Sequence, residues 1–445
     1  MSQQETRPSR SAEVAADVRD FYERYPYPRP IDSLEQYRRL GQDRQKRRTE
    51  YHFLWPVRPY REEQTILVAG CGTSQAAKHA MRWPAAQVIG IDFSATSVRC
   101  TEALKRKYNL QNLQVDHIPI ERVGDLRTSF DQIICTGVLH HLADFDAGLR
   151  ALREVLKPDG AMHLMVYAPY GRAGIYMVQE FCRRIGLHVN DKEIRDLIAA
   201  LTAMPAGHPL GNLLRESPDF GQQAALADAL LNPQDRSYSV PQLFDFIGNA
   251  GLTFGRWIKQ APYTPHCGVL ARIPQASRLR ELSTAEQYAA VELFRGTMVR
   301  HSMVVYRNDS PELQQITFAG DAWLGYVPLR MPDTVCVQER LPPGAAGVLI
   351  NQTHAYADLI MPIDSTEKRL FDAIDGSRSI GAIVEGASSQ TKARLDMAAT
   401  FFGNLWWYDQ VVFDASRCHA RREDAWIQAG HGAAERMTRA RNPAG

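Results

Sequence analysis

The sequence predicts an α/β protein built on a parallel, doubly wound sheet, followed by a smaller α+β module. Three observations carry this reading. An apolar run, "TILVA" at 65–69, leads straight into the turn "GCGTS" at 70–74. A second run, "QVIGID", ends on Asp92, about 20 residues beyond that turn. Strand-like and helix-like patterns then alternate as far as Tyr167, which implies parallel strands with helices packed on the sheet.

The elements follow in order. Residues 12–24 carry apolar positions at helical spacing, and "YPYPRP" ends that helix because proline cannot continue it. "YRRLGQDRQKRRTEYHFLWP" is basic and aromatic. After the first strand, "TSQAAKHAMRW" reads as a helix, "QVIGID" as a strand and "SATSVRCTEALKRKY" as a helix. "LQVDHI" and "FDQIICTG" are the next strands, "DFDAGLRALREVL" a helix, "KPDG" a turn and "AMHLMVY" a further strand. The stretch 174–232 reads as largely helical with loop breaks. "SVPQLFDFIGNAGL" resumes the pattern as a helix ending at Gly251, with "TFGRWIKQ" and "HCGVLARI" as closing strands. Residues 276–306 read as one long helical segment. The remainder, about 310–415, alternates short strands and turns before three helical stretches.

The 445 residues call for two or three domains. An apolar fraction of 44% and a charged fraction of 23% are those of a soluble globular protein. Lys plus Arg number 52 against 50 Asp plus Glu, so no global field argues for nucleic acid or membrane. The seven cysteines include no C-x-x-C pair, which excludes a disulfide framework or zinc site as the expectation; no metal is called for. The N-terminus lacks the apolar core of a signal peptide, and no apolar run approaches ~20 residues. A cytoplasmic location and no membrane partner are the corresponding expectations.

The glycine turn narrows the chemistry. A P-loop needs a lysine beside its last glycine, and Lys78 has neither that glycine nor a following Ser or Thr. A dinucleotide fingerprint would need a third glycine where Gln75 stands. What remains is Gly70, Gly72 and the small Ser74. Two glycines permit a tight turn with close backbone approach to a ligand. A small third residue leaves room for a methionine tail rather than a pyrophosphate. Asp92 is placed to accept hydrogen bonds from ribose hydroxyls.

The ordered set "LVAGCGTS", "GIDFS", "FDQIICTGVLHHL" and "LKPDG" resembles the class I S-adenosylmethionine-dependent methyltransferase family over residues 65–167, or to about 273 if 240–273 supplies the last helix and strands. The resemblance implies a Rossmann-like, seven-stranded sheet and S-adenosyl-L-methionine as cofactor. It implies that Gly70, Cys71, Gly72 and Ser74 line the methionine moiety, that Asp92 meets the ribose, with Phe93 beside it, and that Thr136 and Gly137 approach the methionine end. Pro119 and Ile120 would wall the adenine. Two departures stand out. Ala69 replaces the acid that often precedes the first glycine, so the methionine ammonium must find acceptors elsewhere. "IPI" at 118–120 replaces a Gly-Asp, leaving the polar recognition of adenine unassigned.

Methyl transfer is an in-line displacement, so a protein mainly aligns the partners and deprotonates the acceptor where required. The [DN]-P-P-[YF] motif of amino-methylating enzymes is absent after the fourth strand, where "CTGVLHH" stands. Cys135 follows Ile134 rather than a proline and reads as a core residue. No carboxylate ends that strand to support metal-assisted chemistry. The candidates near the reacting centre are His140, His141, Tyr170 and Arg172. Adjacent histidines point in different directions, so one at most faces an acceptor as a base; capping or packing is the alternative. Arg172 either pairs with an acceptor carboxylate or phosphate or is a solvated loop arginine. Tyr22, Tyr25 and Tyr27 either close the cofactor side or simply pack.

The reading is a three-part enzyme. Residues 1–60 form a helical, aromatic arm; 61–275 the methyltransferase domain, with a lid insertion at about 174–238. Residues 276–308 form a helical connector, 309–417 a winged-helix-like accessory domain and 418–445 a flexible tail. The accessory region is faintly similar to peptide-binding modules of peptide-modifying enzymes and offers self-association. The acceptor would be an O or N atom of a small metabolite or a peptide side chain. The alternatives are an RNA- or tRNA-modifying methyltransferase, for which 38–48 ("RRLGQDRQKRR") supplies a basic stripe, and a non-catalytic cofactor-binding protein.

Overall fold

A computed structural model describes residues 10–216, 222–310, 315–386 and 392–418. Most of the expected tail, from residue 419 on, lies outside the described residues. The described residues fall into two compact units, one drawn from 1–43, 62–259 and 275–312, the other from 44–61, 260–274 and 313–445. Helices α1 (Arg10–Arg24) and α2 (Glu35–Gln42) therefore belong to the first unit and α3 (Arg44–Leu54) to the second.

The first unit is built on seven strands: β1 (Thr65–Ala69), β2 (Gln87–Asp92), β3 (Leu113–His117), β4 (Phe130–Thr136), β5 (Leu156–Tyr167), β6 (Leu252–Trp257) and β7 (Arg300–Arg307). Their order across the sheet is β3-β2-β1-β4-β5-β7-β6. The first five run parallel, and β7 lies antiparallel between β5 and β6. Ile66, Leu67, Val68 and Ala69 are all buried, as a central strand covered on both faces requires. The order places the C-terminal ends of β1 and β4 side by side, with β2 and β5 flanking them. Open α/β sheets hold ligands at such an edge.

Helices α4 (Gln75–Arg82), α5 (Ala95–Tyr108) and α6 (Phe145–Val155) connect the parallel strands. Local capping explains two of their starts. Ser94 Oγ accepts from the Ser97 N–H, and Asp144 Oδ1 from the Ala147 N–H. The insertion after β5 forms four helices: α7 (Ala173–Arg184), α8 (Asp191–Leu201), α9 (Leu210–Glu216) and α10 (Gln223–Leu231). Helix α11 (Val240–Asn249) then restores the regular pattern through a Ser239–Gln242 capping box.

Three sequence expectations are corrected. "HCGVLARI" is not a strand: Gly268–Arg272 is a short 3₁₀ turn in the second unit. Residues 276–306 are not one helix but α12 (Ala276–Glu281), α13 (Thr284–Arg295) and then β7. Gly296, at φ +62°, ends α13, and Met303, Val304 and Val305 are buried between neighbouring strands. The seventh strand thus comes from the expected connector. "KPDG" does not separate helix from strand; it is absorbed into β5, where the pairing with β4 slips between Phe130↔Leu156 and Gln132↔Ala161.

The second unit has an antiparallel pair, β8 (Val327–Arg330) with β12 (Val411–Asp414), and a three-stranded antiparallel sheet. The latter comprises β9 (Thr334–Val337), β10 (Gly347–Asn351) and β11 (Ile360–Ile363). Helices α14 (Ser365–Asp372), α15 (Ile380–Glu385) and α16 (Lys392–Trp407) contribute Leu370, Ile380, Ile383, Phe401 and Phe402 to its core. Two distant segments are bound into it by charge. Arg48 on α3 pairs with Asp414 at 2.7 Å and donates to the Gly376 carbonyl. Asp409 accepts from the N–H groups of Gln260 and Ala261 at 2.8 and 3.0 Å. Arg47 is buried as well, so the basic stretch 38–48 is not one solvated face.

Two histidines of the first unit make its stability sensitive to acid. Burial holds His79 on α4 neutral, its pKa lowered to about 3, and lowers His163 on β5 to about 4. An unfolded histidine titrates near about 6.5. Their depressed values therefore contribute stability that is fully present above about pH 6.5 and is lost progressively as pH falls through the folded values. Urea unfolding followed by circular dichroism should show that decline. The double substitution His79→Leu, His163→Leu should flatten it.

Candidate functional site

The glycine turn has the backbone that glycine alone adopts readily: φ is +70° at Gly70 and +53° at Gly72. A Cβ at Gly70 would run into the Val138 methyl groups, so the turn after β1 abuts the turn after β4. A Cβ at Gly72 would lie 3.2 Å from Pro28 Cδ. Asp92, only 7% exposed, accepts from the Gly72 N–H at 2.8 Å and, through its other oxygen, from the Ser94 N–H at 2.9 Å. Each oxygen keeps a further lone pair, which suits a diol. Burial raises the Asp92 carboxyl, and these two donors act against that rise.

The other expected cofactor residues fall around this turn. Cys71 is fully buried beside Gly90, so its backbone rather than its thiol is what can face a ligand. Ser74 is fully buried, and its hydroxyl has no hydrogen-bond partner among the described residues. Phe93 is partly exposed, with its carbonyl 2.8 Å from His117 Nε2. Pro119 is exposed, and Ile120 is buried at the start of the short turn Ile120–Leu126. Thr136 ends β4, and the Gly137 N–H donates to the Met165 carbonyl.

Beyond β4, His140 and His141 sit in the short turn Leu139–His141 with their rings 4.3 Å apart, and both are buried. His141 Nδ1 lies 2.6 Å from the Gln234 carbonyl. A carbonyl only accepts, so Nδ1 carries a proton, and in the neutral tautomer that fits this bond Nε2 keeps its lone pair. That Nε2 is buried and unpartnered among the described residues, as are both ring nitrogens of His140. Burial, reinforced by His141 and Arg172, keeps His140 neutral, well below the ordinary histidine range.

Arg172 is not a solvated loop residue. Its guanidinium lies 3.4 Å from the centre of the Tyr167 ring and pairs with Asp235 at 2.8 Å. His140 packs on the same ring at 3.8 Å. Burial works against the Arg172 charge, but Asp235, Tyr167 and Tyr176 together raise its pKa. Asp235 also accepts from Gln179 Nε2, while its Oδ1 is buried without a partner among the described residues. The segment carrying Asp235 is tied down at several points. Gln234 meets His141, the Arg236 N–H donates to the His140 carbonyl, and the Tyr238 N–H donates to the Tyr167 carbonyl. Tyr170, by contrast, is 41% exposed at the rim.

The N-terminal arm closes over both sets. The Thr73 hydroxyl donates to the Pro28 carbonyl, and Glu23 accepts from the Thr96 N–H and hydroxyl at the start of α5. The Tyr22 ring sits edge-on to Phe93 and to His141, with centroids at 6.1 and 5.9 Å. Its hydroxyl donates to Asp228 on α10 at 2.6 Å, and Tyr25 donates to Asp191 on α8 at 2.7 Å. Burial and then Asp228 push the Tyr22 hydroxyl well above its ordinary value, so it remains a donor.

Sequence reasoning missed Asp228, Asp235, Tyr167 and Glu23. The only local signal was "NPQDR", a turn-forming stretch directly before the return helix. Among the described residues, no group of three or more His, Cys, Asp or Glu could hold a metal ion, and no helix is long and apolar enough to cross a membrane.

Residues 67–162 match the family model described as a methyltransferase domain. That segment thus resembles a methyltransferase domain. It is similar to an uncharacterized protein of Synechococcus, 29% identical over 59% of this chain and 64% of that protein. It is also similar to trans-aconitate 2-methyltransferase of Deinococcus radiodurans, 31% identical over 31% of this chain and 50% of that one. The chain thus spans less than two thirds of either relative. Among solved structures, PKMT2 from Rickettsia typhi shares the fold, with a TM-score of 0.59 at 14% identity over 84% of this chain and 75% of that one. PKMT2 has also been solved in complex with AdoHcy. The matched segment runs from within β1 to within β5, and the seven-stranded order is completed outside it.

Tyr22→Phe removes a buried donor from Asp228, which should weaken docking of the arm by about 1–3 kcal/mol. Limited proteolysis should then cut within residues 10–34 faster than in the wild type, with the rest of the digest unchanged.

Proposed function

We propose that the protein is an S-adenosylmethionine-dependent methyltransferase acting on an O or N atom of a small molecule or a peptide side chain. The observation that carries the catalytic part is His141. Its Nδ1–H is fixed by the Gln234 carbonyl, leaving the buried Nε2 unpartnered among the described residues, in the turn that follows β4 and abuts Gly70. A base oriented by a second group is the arrangement that proton abstraction needs.

What supports the cofactor assignment is the fit of the residues: two glycines with positive φ, an unpartnered Ser74 hydroxyl, and Asp92 with a lone pair left on each oxygen. The AdoHcy complex of PKMT2 agrees with it. When bound, the cofactor supplies an electrophilic methyl group. The chain's own residues would hold the ribose at Asp92, exclude water with the arm and the lid helices, and take a proton at His141 Nε2. The nucleic-acid alternative loses support because Arg47 is buried and Arg48 is paired inside the second unit. The winged-helix-like reading of 309–417 remains part of the proposal; the three consecutive helices α14 to α16 after a three-stranded sheet are what support it.

Calorimetric titration tests the cofactor half. Wild type should bind S-adenosylmethionine and ignore NAD and ATP. Asp92→Ala should weaken binding by about 10–100-fold, the loss of hydrogen bonds to a charged group. His141→Ala should leave that affinity unchanged and lower turnover by about 10²–10⁴-fold once an acceptor is in hand. Tight NAD binding by the wild type would sink the proposal.

A further inference from the structure

The methyltransferase reading leaves the acceptor open, and the inference here rests on that reading. The buried guanidinium packed next to the histidine turn could have recognised an anionic acceptor, and it is already engaged. Arg172 is paired with Asp235, with side chains only 7% and 2% exposed, and its guanidinium is stacked on Tyr167. Arg236 lies next in the chain, but it is exposed and its guanidinium rests over Phe145 at 3.9 Å. Asp228, buried and held by Tyr22 and Asn232, adds a second carboxylate without a cation beside it in those contacts. The named set therefore holds two carboxylates against one guanidinium. A carboxylate or phosphate buried there would lack a counter-charge, which costs several kcal/mol (on the order of the penalty for any unpaired buried ion).

The unpartnered atoms point the same way. Among the described residues the unpartnered Asp235 Oδ1 is an acceptor as a carboxylate, and His141 Nε2 is one in the tautomer with the proton on Nδ1. The neutral His140 ring offers one acceptor and one donor. Acceptors outnumber donors, so a fitting ligand brings hydrogen-bond donors. An ammonium group would do so too, but it would stand beside the cofactor's sulfonium, cation against cation, and has no lone pair with which to attack. A hydroxyl brings the donor without the charge.

We infer that this site selects uncharged acceptors bearing hydroxyl groups, phenols or alcohols, and rejects carboxylates and phosphates, with Asp235 setting the selection by engaging Arg172. In the transfer, the acceptor O–H proton passes to His141 Nε2. The oxygen pair forms the C–O bond to the methyl carbon, and the C–S bond electrons return to sulfur, turning the sulfonium into a neutral thioether. The proton then leaves His141 for solvent.

Three probes on one ring test this by calorimetry with the full chain saturated with AdoHcy: methyl 3,4-dihydroxybenzoate (neutral), 3,4-dihydroxybenzoate (anionic) and dopamine (cationic). The neutral probe should bind at least about 10-fold tighter than the anion, and tighter than the cation. Asp235→Asn keeps a hydrogen-bond acceptor for Arg172 while removing the charge, so affinity for the anion should rise about 10-fold or more. Tightest binding of the anion or of the cation by the wild type overturns the inference, as does binding of none of the three. So does an Asp235→Asn protein with no gain for the anion. If that variant fails to fold, the wild-type order across the three charges decides alone. Absence of AdoHcy binding would instead count against the methyltransferase reading.

Discussion

The Arg172–Asp235 ion pair closes the base of the helical insertion and ties it to the ring on which His140 packs. Arg172 stands where the chain leaves β5 and Asp235 where it returns, so a buried pair joins the two ends of the helical insertion. Removing either partner of such a pair leaves an uncompensated buried charge, a loss of about 3–5 kcal/mol. The same pair fixes Tyr167, which lies between the guanidinium and the His140 ring, and it delivers the segment whose Gln234 carbonyl sets the His141 tautomer. The insertion, the histidine turn and the local charge thus meet at this contact, beside the backbone bonds from Arg236 and Tyr238.

The arm is coupled to that arrangement through Tyr22 and, at Asp191, through Tyr25. Tyr22 touches Phe93 just after β2 and His141 just after β4, and its hydroxyl is anchored by Asp228 from the helical insertion. Pro28 and Glu23 meet the two loops that follow β1 and β2. A ligand in the glycine turn would thus lie beneath a cover made from two separate parts of the chain. Water exclusion of this kind strengthens electrostatic interactions inside a site.

The second unit shows how charge can recruit distant chain segments. The basic stretch at 38–48 looks like a surface stripe in the sequence, yet Arg48 is neutralised by Asp414, some 366 positions away. Asp409, in a left-handed conformation at φ +53°, gathers the N–H groups of Gln260 and Ala261. Burial of a cation beside a far carboxylate leaves no periodic trace in either segment, so the stripe and the interior ion pair read alike until the chain is folded.

By itself the sequence determined the parallel half of the sheet, the glycine turn and Asp92. Those features depend on short-range pattern: four apolar residues before Gly70, a left-handed turn that only glycine takes readily, and an acid at the end of the second strand. It also marked His140, His141 and Arg172, but left open whether they were catalytic or merely packed. The tertiary structure decided what those residues face. It placed β7 beside β5 from a segment that read as helix, because antiparallel pairing and burial on both faces outweighed a local helical pattern. It also brought Asp235 and Asp228 to the histidines from the far end of the insertion. Contacts over such separations are chosen by burial and charge balance, which no window of sequence contains.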